Sequence, residues 1–200
     1  MSQMMELNKV NFVVVDVETT GLYPQSEAIT EIAMYKICDK KIVDKWCTLI
    51  NPEKSIPLFI TLKTGISDAM VFDKPTASQI APKILEFIGD SVFVAHNADF
   101  DFGFVNSALN KSGIKNLTNS VVCTVKLARI FLPHLPKKNL DYVSNAFGIK
   151  TENRHRADSD AHTTAIVLIK FLDIWEKENG IKNLDEFLKL QKHPATRKYF

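Results

Sequence analysis

Cysteine is scarce in this chain. Cys38, Cys47 and Cys123 are odd in number and show no CxxC or other metal-ligand spacing, which argues against a disulfide framework or a cysteine-built zinc site and for a reducing cytoplasm. An excess of either charge is also missing: 25 basic and 23 acidic residues leave a formal +2, so no global field draws the molecule onto nucleic acid or a membrane. Any site for a polyanion must be built locally. Long apolar runs are lacking as well. No stretch approaches the roughly 18 residues of a membrane span, and MSQMMELNKV lacks the basic and then apolar order of a secretion signal. Internal repeats and low-complexity linkers are not found. What the chain does hold is 46% hydrophobic and 10% aromatic residues in a length of 200, enough for a single domain with a full core.

The hydrophobic pattern divides into short strand-like runs and longer helical ones. FVVVDV, from Phe12 to Val17, is a β-branched run closed by Thr-Thr-Gly and reads as a buried strand. AITEIAMYKI and IVDKWCTLI, joined by the polar turn CDKK, read as a hairpin beside it. From Ser55 to Gly89 the period turns helical, with Pro57 near one start and Thr76 as the N-cap of another. SVFVAH is a short buried strand, DFDFGFVNSALNKSG a helix closed by Gly113, and SVVCT a further strand. LARIF, the Pro-broken LPHLPKKN, the helix LDYVSNAF stopped by Gly148 and a long helix from Asp158 to Lys177 complete the order. Three antiparallel strands followed by helix-separated strands predict an α/β fold with a mixed five-stranded sheet flanked by helices. Residues 1–10 are expected to form an N-terminal extension, 11–178 the folded domain, and 179–200 a basic tail or the start of a further segment.

Three groups of acids each pose a choice. Asp16 and Glu18 stand two apart at a strand end, so their side chains leave the same face. Two carboxylates about 4 Å apart repel by roughly 4 kcal/mol at an effective dielectric near 20. A divalent cation with a preference for hard oxygen relieves that repulsion, and Mg²⁺ is typically held by one or two carboxylates and substrate phosphates; a turn-forming role is the other reading of such a pair. In HNADFDFGF the choice is Asp99 or Asp101. A helix turns about 100° per residue, which puts Asp101 on the stripe of Val105 and Ala108 and Asp99 about 160° away, beside Asn106 and Asn110. A carboxylate aimed into an apolar stripe must be paired or bound to metal, so Asp101 is the functional candidate and Asp99 an N-cap or surface residue. His96 reads as a structural hydrogen-bonding group.

In NRHRADSDAHTT the choice is Asp158 or Asp160. The core stripe of this last long helix is Ala161, Thr164, Ala165, Leu168, Leu172 and Trp175. Asp160 flanks it on the side of Val167, Phe171 and Ile174, whereas Asp158 flanks it on the side of His162, Asp173 and Glu176. Asp160 is therefore the interior candidate, and Asp158 and His162 fall to solvent or capping. His155 precedes the helix in a loop, and an imidazole with an ordinary pKa of about 6.5 can take a proton from water at neutral pH.

DVETTGL, HNADFD and HRADSD, in that order, resemble the three motifs of the DnaQ-like, or DEDDh, 3′-to-5′ exonucleases. That group includes the proofreading epsilon subunit of bacterial DNA polymerase III, the exonuclease domain of Gram-positive PolC polymerases, and RNase T. The resemblance spans Asn11 to Leu172 and implies a ribonuclease H-like fold. It also implies two ions of Mg²⁺ or Mn²⁺ on Asp16, Glu18, Asp101 and Asp160, with His155 as general base. The reaction implied is hydrolysis of phosphodiester bonds from the 3′ end of DNA, releasing nucleoside 5′-monophosphates, in proofreading or repair. By the same resemblance Thr19, Gly21 and Leu22 line the terminal nucleotide and Thr64, Gly65 and Ile66 form the matching substrate loop. Phe100 is expected to stack a base. Asn97, at the strand exit, is expected to orient the loop or contact substrate, and Lys137, Lys138, Lys150, Arg154 and Arg156 either track the phosphate backbone or form an ordinary solvated face. The partners implied are nucleic acid with a free 3′ end, single-stranded or frayed DNA above all, and a DNA polymerase subunit, with no membrane. Two other readings stay open: an RNA 3′-end processing exonuclease of the RNase T or oligoribonuclease kind, and a catalytically idle module that docks on nucleic acid or a polymerase.

Overall fold

The computed structural model describes residues 6–151, 154–179 and 183–192. Its centre is strand β1, Phe12–Thr19, whose Val13, Val14 and Val15 are fully buried because both faces of the strand are covered. Strand β2, Ile29–Cys38, pairs antiparallel with β1, and β3, Lys41–Leu49, pairs antiparallel with β2. The β2–β3 turn has Asp39 and Lys40 at φ of 46° and 56°, the two positive values that a tight hairpin needs. Strands β4, Val92–Ala95, and β5, Val121–Cys123, add in parallel on the other side, which gives a five-stranded sheet in the order β3-β2-β1-β4-β5. This is the mixed sheet that the sequence predicts. β1 runs to Thr19, two residues past the predicted end, so Asp16 and Glu18 both lie within the strand, just before an irregularity between Glu18 and Thr19.

The helices are α1 (Leu58–Thr64), α2 (Asp68–Val71), α3 (Ala77–Ile88), α4 (Ala98–Lys111), α5 (Thr124–Phe131), α6 (Leu140–Ala146), α7 (Ala157–Asn179) and α8 (Leu184–Leu190). The helical stretch after Ser55 is divided in three. Gly65, at φ 72°, ends α1, and α3 starts where the Gln79 side chain accepts the Thr76 backbone N–H at 2.8 Å.

Alternation along the strands feeds two cores. Val13, Val15 and Val17 pack with Ile32, Met34 and Phe93 under α3 and α4. Phe12 and Val14 pack with Ala33, Tyr35 and Val94 under α5, α6, α7 and α8. Asp16 and Glu18 share the parity of Phe12 and Val14, so the pleat aims both carboxylates at the α7 layer. Leu7, Val10, Phe187 and Leu190 join that layer, and the Gln191 side chain bonds the backbone of Val121 and Cys123. The described parts of both flanking segments thus pack on the domain; the expected basic tail beyond Lys192 lies outside the described residues. A small third cluster, Ile56, Ile60, Ile66 and Val71, holds α1 and α2 together. Among the described residues no helix is long and apolar enough to cross a membrane.

Candidate active site

Three elements converge at the C-terminal end of β1. From the strand come Asp16 and Glu18, and from the first turn of α7 comes Asp160; one carboxylate oxygen from each of the three lies within 4.8 Å of the others. Asp101, in the first turn of α4, reaches over the strand end from the opposite layer, where its Oδ1 accepts the Val17 N–H at 3.1 Å. Asp101 and Asp160 are 4% and 6% exposed, as the helical wheel requires, whereas the side chains of Asp99 and Asp158 are 82% and 46% exposed. Asp99 pairs with Lys126 at 3.6 Å. The N-cap of α4 is Asn97 instead, an exposed residue at φ 82°. Asp158 accepts from Tyr35 Oη at 2.6 Å and faces Lys45 at 3.5 Å, and the exposed His162 ring lies 5.5 Å from the Tyr35 ring. These contacts put Asp158 and His162 at the α7–β2 seam, away from the converging acids.

Crowding shows in the acidities. Burial chiefly, then the charges of Asp101, Asp160 and Glu18, push the Asp16 carboxyl well above its ordinary value. Burial and then Asp160 push Glu18 up to about 7. Burial raises Asp101 too, against the opposing pull of its Val17 hydrogen bond. A cluster made only of carboxylate oxygens offers a divalent cation the hard donors it prefers.

His155 sits at φ 63° in the loop before α7, and its backbone N–H donates to Asp160 Oδ2 at 3.3 Å. Burial first, then the positive charges of Lys63 and Arg154, lower its pKa below 6.5 and hold the imidazole neutral. His96 is a structural group: its Nδ1 lies 2.9 Å from Thr124 Oγ1, and burial drops its pKa to about 4.

The loops named for substrate differ in what they offer. Thr19 Oγ1 donates to the Gly21 carbonyl at 2.6 Å, and a Cβ at Gly21 would meet Glu27 Cγ at 2.8 Å, so any other residue there would push the Glu27 side chain aside. Leu22 is 71% exposed at its tip. Phe100 is half-buried against Phe104, with ring centroids 4.8 Å apart. Gly65 is exposed, but Ile66 is fully buried in the small α1–α2 cluster, and the Thr64 hydroxyl is held by Ile60 O and Ile66 N. Ile66 therefore serves that lobe's core.

Of the five basic residues expected along the phosphate backbone, three are engaged within the protein. Lys137 and Lys150 are exposed, yet Lys138 bonds the Leu135 carbonyl. Neither arginine forms a free phosphate track. Arg154 bridges Asp141 and Asp160, and Arg156 grips Glu31 through Nε at 3.0 Å and Nη2 at 2.6 Å. Glu31, Asp141 and Lys63 escaped the sequence reading. Glu31 alone left a signal there, as an acid at a core-facing position in the apolar run ITEIAMYKI.

A sheet in this order, with acids gathered from the end of β1 and the first turns of α4 and α7, has the ribonuclease H-like fold. The family model for Exonuclease (RNase T type) matches residues 13–168. PolC-type DNA polymerase III of Clostridium perfringens is 45% identical over 157 residues, covering 78% of this chain and 11% of the polymerase. The corresponding polymerase of Caldanaerobacter subterraneus subsp. tengcongensis is 43% identical over 175 residues, 88% of this chain and 12% of that one. The chain thus spans about an eighth of these relatives. Among solved structures, exonuclease X in complex with 5′ overhanging duplex DNA superposes with a TM-score of 0.67 at 27% identity, covering 90% of this chain and 99% of that one. E. coli exonuclease I in complex with a dT13 oligonucleotide shares the fold, with a TM-score of 0.74 at 17% identity over 84% of this chain and 41% of that one. The chain belongs to the exonuclease family.

Proposed function

We propose that this chain is a metal-dependent 3′-to-5′ exonuclease that removes nucleoside 5′-monophosphates from single-stranded or frayed DNA, in proofreading or repair, in a reducing cytoplasm. The observation that carries the reading is the convergence of Asp16, Glu18 and Asp160 within 4.8 Å, with the buried Asp101 beside them. Two Mg²⁺ or Mn²⁺ ions held by these four acids would offset their repulsion and supply Lewis-acid activation of a phosphodiester. The protein's own residues do the rest. His155, kept neutral by burial and by Lys63 and Arg154, accepts the proton of the attacking water. Thr19, Gly21 and Leu22 on one side, and Thr64 and Gly65 at the end of α1 on the other, flank the terminal nucleotide, with Asn97 and Phe100 at the start of α4. The preference for DNA is supported by the PolC-type relatives and by the DNA in the exonuclease X complex, and the same relatives support a DNA polymerase as partner.

The test is direct. The protein is incubated with single-stranded, 3′-overhang and mismatched DNA and with RNA of equal length, in Mg²⁺ or chelator, and the products are identified. Metal-dependent release of 5′-monophosphates from DNA, abolished in Asp16→Ala and Asp160→Asn, is the expected result. Full activity in either variant sinks the metal assignment, and faster release from RNA moves the substrate to RNA.

A further inference from the structure

A fifth carboxylate stands beside the four acids and has no place in that chemistry. Glu31 on β2 is the direct cross-strand partner of Glu18, on the same face of the sheet, and its side chain is 3% exposed. Both of its oxygens are taken. Oε1 accepts from Arg156 Nη2 at 2.6 Å, and Oε2 accepts from Arg156 Nε at 3.0 Å and from the Ala157 backbone N–H at 2.9 Å. Ala157 is the first residue of α7, so a side chain from the sheet caps the helix that carries Asp160. The bidentate grip on Arg156 fixes the residue that follows His155.

His155 needs such fixing. A left-handed backbone at a residue other than glycine costs about 1–2 kcal/mol and persists only where the surroundings impose it. Here the arginines on both sides are each tied to a carboxylate, Arg154 to Asp141 and Asp160, and Arg156 to Glu31. The pair joins a buried carboxylate to a partly exposed guanidinium, and ion pairs add little net stability compared with apolar packing, so its chief effect is the conformation it holds.

We propose that Glu31 is a positioning residue: from the strand beside β1 it sets the loop bearing His155 and the first turn of α7, and so holds His155 and Asp160 at working distance from Asp16 and Glu18. The proposal rests on the exonuclease reading above. Glu31→Gln keeps an acceptor for the Ala157 N–H but loses the charged grip, Arg156→Lys keeps the charge but loses the two-pronged geometry, and Arg156→Ala removes both.

Each variant, with the double variant Glu31→Gln/Arg156→Ala, is assayed for melting temperature, for kcat and KM on a single-stranded oligonucleotide, and for Mn²⁺ affinity by calorimetry. A loss of about 10–100-fold in kcat or in Mn²⁺ affinity is expected in every single variant, as when a ligand's supporting partner is removed. KM should move little, and the double variant should be no worse than either single one. Four results overturn the proposal. Wild-type kcat and Mn²⁺ affinity with only a lowered melting temperature make the pair structural. Full activity in Arg156→Lys, with Arg156→Ala weakening DNA binding and flattening its salt dependence while Glu31→Gln does not, makes Arg156 a phosphate contact. Loss of one bound Mn²⁺ in Glu31→Gln makes Glu31 a ligand, and additive losses in the double variant uncouple the two residues. A wild-type protein without nuclease activity removes the exonuclease reading instead, while the Mn²⁺ titration still reports whether Glu31 sets the acids.

Discussion

Glu18 and Glu31 face each other across the β1–β2 pair, yet only Glu18 turns toward the converging acids. Glu31 is neutralised by Arg156 and by the start of α7. The two carboxylates stand side by side because Glu31 has Arg156 as its counter-charge, while Glu18 faces the converging acids. Burial and then the charge of Asp160 raise the Glu18 carboxyl to about 7.

That acidity leads to a dependence on pH. In the metal-free protein Glu18 rises from its ordinary 4.5 to about 7, and Asp16 and Asp101 also rise. The folded state then holds protons that the unfolded chain has released. Stability from this source is full below the unfolded pKa and is lost as pH rises through the folded one. Metal binding needs the carboxylates ionised. The melting temperature of chelated protein should therefore fall as pH rises from about 4.5 to about 7, the interval between the unfolded and folded values for Glu18, and the gain on adding Mn²⁺ should widen over the same interval. A gain that is flat with pH contradicts this.

The two aspartates of α7 should behave in opposite ways. Asp160→Asn is expected to abolish nucleotide release. Asp158→Asn weakens the bonds to Tyr35 and Lys45, costs under about 2 kcal/mol, and leaves kcat near wild type. Steady-state kinetics and thermal melts on the pair check it, and a catalytic loss in Asp158→Asn would reverse the assignment.

His155 sets a limit on the acid side. Burial, and then Lys63 and Arg154, lower its pKa below 6.5, so kcat should hold its plateau to a pH below that value before protonation removes the base. His155→Ala is expected to lose about 10²–10⁴-fold in kcat and to abolish the acid limb. Mn²⁺ affinity should survive, since the bond to Asp160 comes from the backbone. A pH–rate profile of the variant that keeps the limb assigns it to another group.

A stability prediction tests the core independently of function. Phe171 is fully buried, with ring centroids 5.4 Å from both Phe131 and Phe147, so it joins α5, the end of α6 and α7. Phe171→Ala should cost about 3–5 kcal/mol, read as a lower denaturant midpoint. A change below about 1 kcal/mol would mean that these helices repack around the gap.

Much of this was legible in the sequence because it is written in local period. Alternation and β-branching marked the five strands, and the wheel separated Asp101 from Asp99 and Asp160 from Asp158 by burial alone. What escaped depends on residues far apart in the chain. Nothing near Arg156 shows that its partner is Glu31, on the second strand, so an arginine beside a candidate base resembled a phosphate contact. Ile66 likewise joined a substrate loop in the sequence reading, because the small cluster that buries it exists only once Ile56, Ile60 and Val71 have folded back together.

The acids come from both ends of the domain, Asp16 and Glu18 from its first strand and Asp160 from its last long helix. The pocket therefore cannot exist in any folding intermediate that lacks α7. Pairings this distant in sequence form slowly. During refolding, protection by Mn²⁺ should appear only with the final kinetic phase, and a nascent chain stopped before α7 would hold three of the four acids yet have no site.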